Sequence, residues 1–301
     1  MELEDIKKRT LVLTQTDPVN DMMFNAWRRT GLNADIIFKP KPKFIRMIRR
    51  LWADYFLPGY SLWYGKWKNE LLKYDTVIVH ADRRTRTVPR YIHSKKPSMR
   101  IIYWYWNPVN EETLPQLTKD DHIECWSFDE NDCQKYHMNK NVQYYYDQSE
   151  NTENSTVGCD VYFVGHDKGR KNKIQEMKES CIAKGLSVSL NIVEENQKQI
   201  PYYDVQKHIK KSKAILEVTQ DGQVGCTLRA MEALFFRKKL ITNNFNIINE
   251  DFYNKNNVFI YGKDNKEKLC EFVNKPYDIK SDKYRNKHTI EAWLENFFSR
   301  G

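Results

Sequence analysis

Two stretches in the second half of the chain combine glycine, hydroxyl and cation in an order suited to phosphate. Phe163 to Arg170 runs from an apolar segment into Gly165, Lys168, Gly169 and Arg170. Glycine lets backbone N–H groups approach a phosphate closely, and the lysine and arginine supply charge. Gly222 to Glu232 carries Gln223 and Gly225 in a loop, then Thr227, Arg229 and Glu232 on the helix that follows. A helix N-terminus offers unpaired N–H groups and partial positive charge, which fits a pyrophosphate. Each residue also has a plainer reading. Thr227 suits a helix cap, Glu232 an ion pair with Arg229 one turn back, and Arg170 a surface cation.

Other chemistry is excluded by what is missing. No GxGxxG follows a strand and no GxxxxGK[ST] occurs, which removes the dinucleotide fingerprint and the P-loop. Six cysteines are scattered without a CxxC pair or zinc-ligand spacing, so they read as reduced thiols.

The N-terminal half carries a different signal. Between Lys39 and Lys73 stand nine cations against two anions, interleaved with Phe44, Trp52, Tyr55, Phe56, Tyr60, Trp63, Tyr64 and Trp67. Such a stretch suits anionic lipid headgroups, nucleic acid, or an ordinary solvated helix with inward aromatics. The membrane is the expectation adopted, with Arg46, Arg49, Arg50, Trp52 and Trp63 as membrane or acceptor contacts and nucleic acid not expected. A second cluster, Arg83, Arg84, Arg86, Arg90, Lys95, Lys96 and Arg100, includes no acid over its span and follows a strand end, where ligands gather in parallel sheets.

These residues need elements to hold them. The chain has 301 residues and a formal charge of +9, long enough for two domains and drawn to anions. No apolar run reaches membrane-span length and no signal region follows the N-terminus, so a cytosolic location is expected. Strand-length apolar runs alternate with helical periods, predicting an α/β fold with two Rossmann-like βαβ domains facing across a cleft. Strands are predicted at Thr10 to Thr14, Ala34 to Phe38, Asp75 to His80, Arg100 to Tyr105, His122 to Phe128 and Asn141 to Tyr146. The polar segment Asp147 to Gly158 reads as the boundary between an acceptor-binding, membrane-facing domain (1–150) and a donor-binding domain (151–285). The second half repeats the pattern. Its predicted strands are Asp160 to Val164, Ser187 to Val193, Lys213 to Val218, Lys239 to Asn243 and Val258 to Tyr261. A closing helix over Lys287 to Phe298, within a segment 286–301 expected to return to the first domain, carries Ile290, Trp293, Leu294 and Phe297 on one face.

The stretch SKAILEVTQDGQVGCTLRAMEALFFRKKLITNN resembles the nucleotide-sugar segment of bacterial GT-B glycosyltransferases that build capsule, exopolysaccharide or lipopolysaccharide. DVYFVGHDKGRKNKIQEM is similar to the opening strand and diphosphate loop of the same donor domain, and CWSFDENDCQKY to a segment late in the acceptor domain. These passages cover about a quarter of the chain. The resemblance implies a nucleotide diphosphate sugar as substrate, a UDP-sugar first, with no cofactor. It implies a hexosyl transfer to a lipid-linked oligosaccharide at the cytoplasmic face of the inner membrane. Glu232 matches the carboxylate that accepts from the donor ribose, so its removal is expected to weaken donor binding and leave stability nearly unchanged. Gly225, Thr227 and Arg229 match positions around the phosphates, and Arg170 with Lys168 the loop that stabilises the leaving diphosphate; Gly165 and Gln223 lie in the same loops. The retaining pattern places a second glutamate eight positions before Glu232, where Val224 stands, which leans the reading towards inversion. No DxD is present and no metal is expected. The catalytic base is expected at an N-terminal strand end, from Asp17, Asp82 and His80 in that order. The rival reading is a non-catalytic nucleotide- or nucleic-acid-binding protein. Oligomeric state stays open.

Overall fold

The computed structural model describes residues 2–15, 18–55, 57–118, 120–146, 157–193, 200–220 and 224–299. The chain divides into two compact units, Met1–Asn141 with Leu294–Gly301, and Val142–Trp293.

In the first unit, α1 (Leu3–Arg9) leads into β1 (Thr10–Thr14), followed by α2 (Pro18–Arg29), β2 (Asn33–Ile36) and α3 (Lys43–Asp54). Then come β3 (Thr76–His80), α4 (Val88–Lys95), β4 (Arg100–Tyr105), β5 (Ile123–Ser127), α5 (Glu130–Tyr136) and the two-residue β6 (Asn139–Lys140). The described strands form one sheet in the order β2-β1-β3-β4-β5-β6, with every pairing parallel. Val77, Ile78 and Val79 are consecutive and all fully buried. A strand apolar on both faces must be covered on both, as helix crossovers in a parallel sheet provide. Leu294–Gly301 belongs to this unit, where Phe297 is 1% exposed and packs edge-on against Trp104 and Trp126.

The second unit holds β7 (Cys159–His166), α6 (Lys171–Ala183), β8 (Val188–Val193), α7 (Tyr202–Lys210), β9 (Ser212–Glu217), α8 (Leu228–Phe235), β10 (Lys239–Thr242), β11 (Val258–Ile260), α9 (Leu269–Asn274) and most of α10 (Ile290–Asn296). Its described strands are again all parallel, in the order β11-β10-β9-β7-β8. The expected class, α/β with two Rossmann-like βαβ domains, is what the chain builds.

Two expectations about elements need correction. Asn141 to Tyr146 is not a strand; β6 ends at Lys140. The ladder to β5 stops there, and the Tyr145 N–H donates instead to the His288 carbonyl. The closing helix is shorter than its apolar period. Ile279–His288 is a 3-10 segment, and extended Thr289 then starts α10 by accepting from the Ala292 N–H through Oγ1 at 3.1 Å. The proposed boundary segment falls mostly outside the described residues.

Candidate functional site

The strongest polar assembly lies at the carboxyl edge of the second sheet. The β9–β10 register sets Glu217 opposite Thr242. Glu217, 1% exposed, accepts from Thr242 Oγ1 at 2.6 Å and from Thr227 Oγ1 at 2.5 Å. Thr227 in turn caps α8, its Oγ1 accepting from the Arg229 N–H at 3.0 Å. Burial pushes the Glu217 carboxyl up, opposed by the two hydroxyls. The sequence reading passed over Glu217. Its only signal was an acid ending the apolar run Ala214 to Leu216.

Arg170 reaches into this edge from the turn after β7. Its guanidinium donates to the carbonyls of Val218 and, through Nη2 at 3.2 Å, of His166, tying the ends of β9 and β7 together. Gly165 leaves the space it needs, since a Cβ there would stand 3.2 Å from Nη2. Lys168 and Gly169 both have left-handed backbone, at φ 46° and 77°. For lysine this conformation costs about 1 kcal/mol or more, a strain that tends to persist where a loop is held for function. Burial pulls the Arg170 guanidinium below its ordinary pKa; Glu217 opposes that shift and Arg229 adds to it. Arg229 is paired with Glu232, whereas Arg170 forms no ion pair among the described side chains; a cation held by carbonyls at the edge that also carries the α8 cap is an arrangement that an anion stabilises.

Glu232 stands differently from the expectation. Its side chain is 0% exposed, and it accepts from Tyr202 Oη at 2.5 Å through Oε1 and from Arg229 through Oε2. Burial raises its pKa and Arg229 opposes the rise. Both oxygens are thus spent inside the fold, so the carboxylate anchors Arg229, and removing it will cost stability instead of leaving it unchanged. Gly225 is buried just ahead of the α8 cap; Gln223 lies outside the described residues. Asn244 serves a turn, its Oδ1 accepting from the Asn246 N–H at 3.0 Å, whereas Asn243 Oδ1 accepts from the distant Thr219 N–H at 2.7 Å and ties the end of β10 to the segment after β9.

Two of the base candidates, His80 and Asp82, belong to the first unit, at the carboxyl end of β3. Asp17 lies outside the described residues. His80, 3% exposed, sits between Trp27 and Trp106, with ring centroids 5.0 and 5.7 Å away. Burial pushes its pKa down to about 3, which makes it a neutral core side chain. Asp82 is one third exposed and accepts from the Arg84 N–H at 2.9 Å and from Arg84 Nε at 3.1 Å. Burial works to raise its pKa, but Arg84 prevails and holds it below the usual range, so the carboxylate is ionised.

Neither basic stretch has the form the sequence suggests. In the second cluster, Arg83, Arg84, Arg90, Lys96 and Arg100 pair with Glu112, Asp82, Asp120, Asp75 and Glu124. All five acids lie outside the cluster in sequence, and they pair with five of its seven cations. In the first stretch, three of the five expected contacts turn inward. Arg49 is 8% exposed, its guanidinium 4.3 Å over the Phe38 ring, where the cation and the π face satisfy each other. Trp52 and Trp63 pack edge-on at 5.8 Å against the core, and Trp52 Nε1 donates to the Pro58 carbonyl at 2.9 Å. Arg46 and Arg50 are exposed, and the outward apolar side chains beside them are Phe44, Met47 and Leu51.

Among the described residues no cluster of three or more His, Cys, Asp or Glu side chains could hold a metal ion. No family model and no curated protein matches this chain. Among solved structures it is similar to SsfS6, a glycosyltransferase of Streptomyces sp. SF2575 (9% identity, TM-score 0.45, covering 97% of this chain and 100% of that one). It is also similar to an alpha-glucosyltransferase in complex with UDP and a 13-mer DNA (10%, 0.46, 96% and 98%). A third similar structure is the UDP-GlcNAc 2-epimerase of Neisseria meningitidis bound to UDP-GlcNAc (13%, 0.44, 96% and 97%).

Proposed function

We propose that the chain is a glycosyltransferase, taking a sugar from a nucleotide diphosphate donor held by the second unit and passing it to a hydroxyl acceptor. The observation that carries this reading is Arg170, fixed by the carbonyls at the ends of β7 and β9 with no ion pair among the described side chains, at the strand edge where Thr227 caps α8; a diphosphate would balance that charge. In the transfer, the bond between the anomeric carbon and the diphosphate oxygen breaks as the acceptor oxygen bonds to that carbon. Negative charge grows on the leaving diphosphate, and fixed cations stabilise it most where water is partly excluded. Arg170, Arg229 and Lys168 fill that role, while Glu232 and Tyr202 hold Arg229 in place. The acceptor proton goes to a carboxylate. Asp82 suits the task as an ionised, partly exposed strand-end group, with Arg84 orienting it.

The finer reading is a metal-independent, inverting hexosyl transfer from a UDP-sugar to a lipid-linked bacterial surface glycan at the cytoplasmic side of the membrane. Val224 at the position of the retaining glutamate supports inversion, and the sequence resemblance supports the glycan class. Incubating the protein with UDP-, GDP- and dTDP-sugars and measuring released nucleoside diphosphate tests the activity. Release from one donor, lost in Arg170→Ala and strongly reduced in Asp82→Asn, is expected. No release from any donor, with or without a lipid-linked acceptor, rejects transfer.

A further inference from the structure

We propose that α3 is a membrane-docking element that lies in the interface of an anionic phospholipid bilayer, with Phe44, Met47 and Leu51 inserted and Arg46 and Arg50 on the headgroup phosphates. This rests on the lipid-linked acceptor reading and names the surface and the residues that would serve it.

The helix is apolar over more of its circumference than the protein covers. Its inward side is accounted for by Arg49 under Phe38 and by Trp52 against Trp63. The other side leaves Phe44 at 67% exposure, Met47 at 54% and Leu51 at 50%, spaced i, i+3, i+7 on one stripe. Tyr55, 73% exposed, continues that stripe just past the helix end. Large apolar side chains aligned in this way on a soluble surface mark a contact site. From Ile36 to Ala53 there is no acid, and Lys39, Lys41, Arg46 and Arg50 are exposed there. Among the described side chains, which do not include that of Asp54, neither Arg46 nor Arg50 pairs with a carboxylate, whereas five of the cations after β3 do.

The length matches lying in the interface: twelve residues rise about 18 Å, short of the roughly 30 Å hydrocarbon core. Among the described residues no helix is long and apolar enough to cross a membrane. The chemistry also selects among occupants. Nucleic acid would use the arginines but leave Met47 and Leu51 without a stacking or hydrogen-bonding role. A second copy packed about a two-fold axis would set Arg46 and Arg50 against their own equivalents on a helix whose one acid is Asp54. A bilayer with anionic headgroups takes both the apolar stripe and its flanking charge.

Sedimentation of the full chain with vesicles tests this without any sugar transfer, so failure of docking and failure of the transferase reading are separate results. Binding is expected to vesicles of phosphatidylcholine with phosphatidylglycerol, weakened by salt, and to be much poorer with phosphatidylcholine alone. At about 1 kcal/mol per interfacial cation, Arg46→Ala with Arg50→Ala should weaken binding about thirtyfold. Met47→Glu with Leu51→Glu, both solvent-exposed, should abolish it with an unchanged thermal midpoint. Absence of sedimentation with any vesicle overturns the proposal, as does binding undiminished in both double variants. Salt-sensitive retention on single-stranded DNA that displaces vesicles overturns it in favour of nucleic acid. A dimer in light scattering that Met47→Glu with Leu51→Glu dissolves, with no vesicle binding, overturns it in favour of a second copy.

Discussion

Arg170 shows why a residue's type and neighbours announce a role that only the fold completes. Its guanidinium spends donors on the carbonyls at the ends of two strands, which fixes its direction, and among the described side chains no carboxylate forms an ion pair with it. Truncating it to alanine removes charge-assisted bonds worth about 1.5–3 kcal/mol, so donor affinity should fall roughly ten- to hundredfold by calorimetry. Glu232 calls for a different outcome. Glu232→Ala leaves Arg229 without its buried partner, a loss of about 3 kcal/mol or more, and the thermal midpoint should drop by several degrees. Adding Arg229→Met should return part of that stability while leaving donor binding poor. An unchanged midpoint in Glu232→Ala would show the pair to be inessential. At His80 the pKa falls from 6.5 unfolded to about 3 folded, so the fold favours the neutral ring. Its contribution is complete above pH 6.5 and is lost as the pH falls towards 3, at about 1.4 kcal/mol per pH unit. His80→Leu should flatten the decline in chemical stability between pH 6.5 and 4.5; an equal decline in both proteins would show that other groups set it. The sequence named Arg170, Arg229, Thr227 and Glu232 because each sits at a strand end or helix start with local signals. Glu217 was missed because its partners, Thr227 and Thr242, lie 10 and 25 residues away and only the strand register joins them.

At the scale of elements, the strands were legible because buried parallel strands are short, β-branched and apolar throughout. Thr76 to His80 and Ser212 to Glu217 need no partner in sequence to be recognised. Turn chemistry was equally local: Gly31 and Gly185 adopt left-handed backbone where α2 and α6 end. The helix faces were not legible. Residue types alone cannot say which side of α3 meets the protein, so the expected contacts include the inward Arg49, Trp52 and Trp63 and leave out the exposed Phe44, Met47 and Leu51. The cations after β3 failed for a related reason. Arg100 meets Glu124 across neighbouring strands at 2.7 Å, and a window along the sequence counts only the charge of one partner. The three tyrosines before the second sheet pair through the fold as well, Tyr145 Oη lying 3.0 Å from Tyr202 Oη.

For the whole molecule, each of the two parallel-sheet units carries its own features: the second the strand edge with Arg170, the first the ionised Asp82 and the outward face of α3. The chain's last residues count as part of the first unit, and Phe297 is fixed between Trp104 and Trp126 there. Phe297→Ala should therefore cost about 3–5 kcal/mol. Limited proteolysis should then cut first within residues 2–141; protection equal to that of the unaltered chain would show the contact to be dispensable. The most direct measurement is calorimetric titration of the intact chain with UDP, GDP, dTDP, ADP and CMP, repeated on Arg170→Ala. One nucleoside diphosphate should bind in preference to the others and to the monophosphate, and its affinity should fall at least tenfold in the variant. Binding of none of them, or binding that Arg170→Ala leaves intact, would contradict a diphosphate site at this strand edge.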